Sequence, residues 1–197
     1  MCVDRYFILN KPANMVSQFV SSHDVRLLGS IDFKFPEGTH AIGRLDKESE
    51  GLLLLTTDKK ITGLLFQGKQ RHTRTYLVQV RNKVGPETVL KLASGIPISA
   101  TSNGVYMTEP CEVVLLDQPK FIHEPISLLH ENVIHSWLQI TLTEGKFHQV
   151  RKMVSAVHHK CLRLIRISIE GIELGEMMPG EVRELNKESF YKKLKLH

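Results

Sequence analysis

No run of large apolar residues in this chain exceeds four, as at Leu52 to Leu55. A membrane-spanning helix needs roughly 20, so no membrane segment is expected, and the opening MCVDRYFILNKP has neither a secretory apolar core nor a cleavage site. Cysteine is scarce too. Cys2, Cys111 and Cys161 are odd in number, far apart and never paired as C-x-x-C, which argues against a disulfide framework or a cysteine zinc site and for reduced thiols in a cytoplasm. Gly and Pro, at 13 and 8 residues, are too few for a collagen-like or low-complexity chain. There is no G-x-S-x-G elbow, so hydrolase chemistry is disfavoured. His148, His158 and His159 lack the H-E-x-x-H type of spacing, so no metal is expected.

What is present reads as one soluble globular domain of 197 residues, or two small lobes sharing a core, with 42% hydrophobic and 24% charged residues. Basic residues outnumber acidic ones 26 to 21, a net charge of +5, which favours a polyanionic partner through phosphate contacts. The cations cluster at Lys69, Arg71, His72 and Arg74, at Arg151 and Lys152, at Arg163 and Arg166, and in the Lys-rich tail. The tail is expected to be a solvated face.

Tyr6 to Leu9 reads as a strand stopped by Asn10-Lys11-Pro12. The poorly patterned stretch from Val16 to Phe35 is expected to be a surface excursion with one short helix. Polar residues from His40 to Gly51 then run into Leu52 to Thr57, a strand buried on both faces. Asp58 caps a helix reaching about Gln67, Thr75 to Val80 is a strand, and Pro86 to Gly95 brackets a helix. Strands are expected at Glu112 to Leu116 and Trp137 to Thr143. At 100° per residue Phe147, Val150, Met153, Val154 and Val157 share one arc, so a helix is expected from Phe147 to Val157 with Arg151 on the arc's edge. An extended piece at Glu181 to Leu185 and a helix from Lys187 close the chain. Helices and strands alternate without a repeating unit, giving an α+β class with a mixed, largely antiparallel sheet.

Asp46, flanked by Arg44 in a Gly-bounded loop before a buried strand, suits a nucleophile or base, although a lone loop Asp more often makes a local turn. The chemistry comes from a resemblance. Gly43-Arg44-Leu45-Asp46-Lys47-Glu48-Ser49-Glu50-Gly51-Leu52-Leu53-Leu54-Leu55-Thr56 resembles the signature loop of the pseudouridine synthases, in the branch that modifies bacterial ribosomal RNA. Leu9-Asn10-Lys11-Pro12, Arg74-Thr75-Tyr76-Leu77-Val78, Glu144 to Met153, Leu164-Ile165-Arg166 and Pro179 to Leu185 resemble its other motifs, in the same order.

The resemblance implies the pseudouridine synthase fold, a mixed sheet with flanking helices and a central RNA-binding cleft. It implies a single catalytic domain over 1–197, two lobes sharing one sheet, without the small N-terminal RNA-binding domain of many relatives. It also implies isomerisation of a uridine to pseudouridine, with no cofactor and no metal. Asp46 matches the catalytic aspartate that attacks carbon 6 of the base or carbon 1 of the ribose, and the sequence leaves both open. Tyr76 matches the residue that stacks on the uracil, Val150 a small apolar residue lining the base pocket, and Arg151 the basic partner of the carboxylate. Arg44 matches the arginine that holds the target nucleotide out of the helix. A base inside a helix is out of reach, so it must be flipped and held by stacking and edge contacts. No heptad seam or large apolar stripe is evident, so a monomer is expected, in the cytoplasm and away from membranes. The early start of the first motif resembles the branch's large-subunit type, which implies 23S rRNA as partner. The readings set against it are a non-catalytic RNA-binding or ribosome-assembly factor on the same fold, and a synthase acting on tRNA or 16S rRNA. Relative to the branch, Arg74 stands where Lys is common and Phe147 where Tyr or Asn is common, changes that bear on RNA contacts.

Overall fold

The computed structural model describes residues 3–66, 70–100, 104–117, 119 and 134–196. In chain order the elements are β1 (Tyr6–Lys11), β2 (His40–Ile42), β3 (Glu50–Thr56), α1 (Ile61–Phe66), β4 (Arg74–Arg81) and α2 (Pro86–Ala93). There follow β5 (Pro97–Ser99), β6 (Val105–Met107), β7 (Glu112–Leu116), β8 (His135–Leu142) and α3 (Gln149–Ala156). The chain ends with β9 (Cys161–Ile169), β10 (Ile172–Glu173), β11 (Val182–Leu185) and α4 (Lys187–Lys193). These form two compact units, one drawn from the chain up to His72 and from Ile165 onward, the other from Thr73–Leu164. The sheet pairing is mixed and mostly antiparallel, as the composition of alternating helices and strands implied. Among the described residues no helix is long and apolar enough to cross a membrane.

In the first unit β1 pairs antiparallel with both β3 and β11. Every residue of β1 is buried, and so is β3 from Gly51 to Thr56. That burial explains the unbroken Leu52 to Leu55, since a strand covered on both faces has no polar side to present. A parallel pairing sets Glu50 and Gly51 of β3 against Ile165 and Arg166 of β9. Gly51 has φ +99°, and a Cβ there would lie 2.3 Å from the Arg166 carbonyl oxygen, so this close approach requires glycine. Asp58 acts as foreseen at the start of α1, its Oδ1 accepting from Lys60 N–H at 3.0 Å. The expected end of that helix at Gln67 lies outside the described residues.

The excursion from Val16 to Phe35 is largely the surface segment expected, but it is anchored at a few points. Its short helix is a 3-10 turn at Leu28–Ser30, and Leu28 and Ile31 are buried. Phe33 and Phe35 set ring edges against Phe7, and Phe19 against Phe35. An aromatic cluster needs no regular spacing, so a period search passes over it.

In the second unit β4 and β8 pair along their full lengths, from Arg74↔Leu142 to Arg81↔His135, with β7 on the other edge of β8. β5 and β6 form a separate two-stranded hairpin. Val78, Val80, Leu138 and Ile140 from the sheet meet Leu92 of α2 and Val150, Met153 and Val154 of α3 in one core. Here the sequence expectation fails at one position. α3 begins at Gln149, because His148 adopts the left-handed region at φ +54° and takes the chain out of helical register. Phe147 therefore lies off the apolar arc and is 61% exposed.

Candidate active site

Asp46 stands in the loop between β2 and β3, half-buried, with its backbone fixed on both sides. On one side Ser17 Oγ accepts from Leu45 N–H at 3.0 Å and donates to the Leu45 carbonyl at 2.9 Å. On the other, the Lys47 carbonyl accepts from Met15 N–H at 3.3 Å and from Lys11 Nζ at 3.4 Å. A turn closes the loop, Ser49 N–H donating to the Asp46 carbonyl at 3.0 Å. Arg44, two residues before Asp46, is exposed.

Lys11 is the unexpected member of this loop. A lysine is almost never fully buried unless its ammonium is paired, yet Lys11 is 0% exposed. Its Nζ donates to the carbonyls of Met15 at 2.7 Å and Pro12 at 2.8 Å. Burial pulls its pKa down to about 8, against the carboxylates of Glu50, Glu48 and Asp46, which favour the charged form. The sequence placed Lys11 in a strand-ending motif without giving it a task, and Ser17 went unremarked. The signal was a Lys directly before Pro at the end of an otherwise apolar strand.

The other three predicted residues belong to the second unit. Tyr76, on β4, is half-buried and packs against the core that includes Val150, which is 4% exposed on α3. Arg151 follows on the same helix, half-buried, its Nη1 donating to Cys161 Sγ at 3.7 Å. It opens on a cleft of about 420 Å³ lined also by Ser155, His158, His159, Lys160 and Cys161. Burial pushes the Cys161 thiol up, and the Arg151 charge pulls it partly back. The structure thus brings Tyr76, Val150 and Arg151 onto one packed sheet and helix, and Arg44 and Asp46 onto one pinned loop.

A network fixes the approach to α3. The Glu144 carboxylate accepts from Tyr106 Oη, from Glu109 N–H at 3.0 Å and from Gln149 Nε2. Gln149 Oε1 in turn accepts from Lys146 N–H at 2.8 Å, which ties the turn before the helix to its first residue.

The expected cation clusters are only partly surface features. His72 is 2% exposed, with Nδ1 3.8 Å from Glu170, and Lys69 lies outside the described residues. Arg163 and Arg166 are buried, at 8% and 4% exposure, and Arg166 Nε donates to the Leu52 carbonyl at 2.8 Å. The tail lysines Lys187, Lys192, Lys193 and Lys195 are exposed, as expected.

Residues 5–156 match the RNA pseudouridylate synthase family. The chain belongs to that family. All five residues singled out from the sequence fall within the matched span. The synthase is 34% identical over 182 residues to the ribosomal large subunit pseudouridine synthase E of Vibrio parahaemolyticus, covering 92% of this chain and 74% of the relative. It is 34% identical over 174 residues to the protein of the same name from Xanthomonas axonopodis pv. citri, covering 87% and 89%. Among solved structures, a pseudouridylate synthase crystal structure superposes with a TM-score of 0.76 at 28% identity, covering 98% of this chain and 75% of the other. The synthase is accordingly an enzyme acting on RNA, and its fold is that of the pseudouridine synthases.

Proposed function

We propose that this synthase isomerises a uridine of large-subunit ribosomal RNA, 23S in bacteria, through covalent attack by Asp46 on a flipped-out nucleotide. The observation that carries the reading is the pinned loop. Asp46 is held by bonds to the residue before it and the residue after it, so its carboxylate needs little reorganisation to meet a substrate. The relatives' names support the choice of large-subunit RNA.

In the proposed reaction the Asp46 carboxylate adds to carbon 6 of the uracil or to carbon 1 of the ribose. The glycosidic nitrogen–carbon bond breaks, the base turns while held, and a carbon–carbon bond forms from carbon 5 to the ribose. Loss of the carbon 5 proton, uptake of a proton by the freed ring nitrogen and release of the carboxylate complete an isomerisation in which the product has the same atoms as the substrate. Tyr76 stacks on the uracil, Val150 lines its pocket, Arg151 supplies positive charge to the carboxylate, and Arg44 holds the target nucleotide out of the helix. Together the two units work as one catalytic domain. The chain acts as a cytoplasmic monomer.

The test is tritium release from 23S rRNA labelled at carbon 5 of uridine. Wild type should release one tritium per modified site, and Asp46→Asn should release none while still binding RNA. Release by Asp46→Asn at the wild-type rate would overturn the assignment. Mapping pseudouridine across total RNA from cells lacking the gene separates 23S from 16S rRNA and tRNA as substrate.

A further inference from the structure

The core arc that should have hidden Phe147 does not include it. A phenylalanine is among the side chains most often buried, and here its ring is 61% exposed. A single exposed apolar side chain means little. This one is built into a larger surface. Its ring stacks face to face on His148, with centroids 3.9 Å apart and planes 18° apart. His148 holds that position through its left-handed backbone at φ +54°, a conformation uncommon outside glycine.

Two cations flank the pair. Lys152 Nζ lies 5.4 Å from the Phe147 centroid and is tied to the Ser99 carbonyl at 2.7 Å. Lys146 Nζ sits 4.4 Å over the Tyr106 ring, and its backbone N–H is held by Gln149. The pair directly precedes α3, whose second and third residues are Val150 and Arg151.

An exposed stacked π surface with fixed ammonium groups beside it is what single-stranded RNA recognises, bases stacking on rings while cations meet phosphates. We infer that Phe147 and His148 form a stacking platform for an unpaired base flanking the target uridine, with Lys146 and Lys152 meeting the adjoining phosphates. The inference rests on the proposed RNA reaction but concerns a second base, one the isomerisation does not touch. The charge around the rings favours RNA over an apolar protein surface as occupant.

The test uses the full chain and two fluorescein-labelled probes, (rA)12 and an abasic 12-mer with the same sugar-phosphate backbone, titrated by anisotropy at one salt concentration. Wild type should bind (rA)12 more tightly than the abasic probe. Phe147→Leu should lose about 5- to 100-fold on (rA)12, the range for removing a base-stacking ring, with little change on the abasic probe. Phe147→Trp should restore binding, and its new exposed indole should be quenched by (rA)12, whereas Trp137 is buried. Thermal melts of each variant monitor the fold. Equal binding of (rA)12 by wild type and Phe147→Leu would overturn the inference, as would an equal loss on both probes. So would quenching and tight binding by an apolar peptide but not by RNA. Tritium release by wild type is read separately, so loss of the reaction and loss of the platform are distinguishable.

Discussion

Replacing Lys11 by Met sets two structural effects against each other. The variant leaves the Pro12 and Met15 carbonyls without their donor, at about 1–3 kcal/mol each for buried acceptors. The Lys47 carbonyl keeps its bond from Met15 N–H. Against this, the charge no longer has to be buried. A pKa lowered from 10.5 to about 8 corresponds to roughly 3 kcal/mol carried by the charged form, at 1.36 kcal/mol per pKa unit. The two nearly offset, so Lys11→Met should lose only about 0–3 kcal/mol at pH 7 in urea unfolding.

The offset depends on pH in a definite direction. With the folded pKa below the unfolded one, the unfolded chain binds more protons between pH 8 and 10.5, and wild type gains stability as pH rises through that window. The gain is absent below the folded value. Lys11→Met has no such group, so the difference between wild type and variant should grow by about 1–2 kcal/mol from pH 7.5 to 9.5. Activity should respond far more. Loss of the anchor frees the loop beside Asp46, and a displacement of about 1 Å typically costs on the order of 100-fold in rate, read as tritium release. A variant that releases tritium within twofold of wild type, or whose stability tracks wild type at both pH values, would refute the assignment of Lys11 as the loop's anchor.

Gly51→Ala should cost more than about 2 kcal/mol, because φ +99° strains any side chain and the new Cβ meets the Arg166 carbonyl; denaturant midpoints check it. Burial pushes the Asp58 carboxyl up, but hydrogen bonds from Lys60, Tyr6 and Tyr191 and the charge of Lys187 outweigh it and hold the group below 3.8. Its stability is thus present above the unfolded value and lost as pH falls through the folded one, so Asp58→Asn should flatten the acid limb of stability against pH. Glu144→Ala strips the acceptor from Tyr106, Glu109 N–H and Gln149 and should destabilise by roughly 3 kcal/mol, whereas Tyr106→Phe should cost about 1, both read by thermal melts.

Regular elements were legible where one rule governed them. The buried Leu52 to Leu55 run, the Pro86 opening of α2 and the strand alternation in β8 all survive in the structure, since each is set by local chemistry. Within the surface segment from Val16 to Phe35 the aromatic cluster was not legible, because its ring edges are contributed by residues of no common spacing. Where the cation clusters ahead of the Lys-rich tail point could not be read for a related reason. Sequence proximity of Arg163, Arg166 and His72 says nothing of whether each points to solvent or to a carbonyl or carboxylate, and all three are buried.

At the site, the loop carrying Arg44 and Asp46 was singled out through its resemblance to the family's signature and not by any rule of spacing or composition. What holds such a loop is written elsewhere in the chain. Ser17 and Lys11 act on Leu45 and Lys47 through backbone atoms, and a backbone carbonyl leaves no trace in the identity of the residue that carries it. Phe147 was misplaced because a helical wheel assumes the helix has already begun. One residue in the left-handed region, His148, ends that assumption and turns a core phenylalanine into a surface one. The wheel therefore needs a start signal before it is applied. Here no residue type marks that start, since Gln149, the first helical residue, bonds its side chain to the Lys146 N–H three residues earlier and outside the helix.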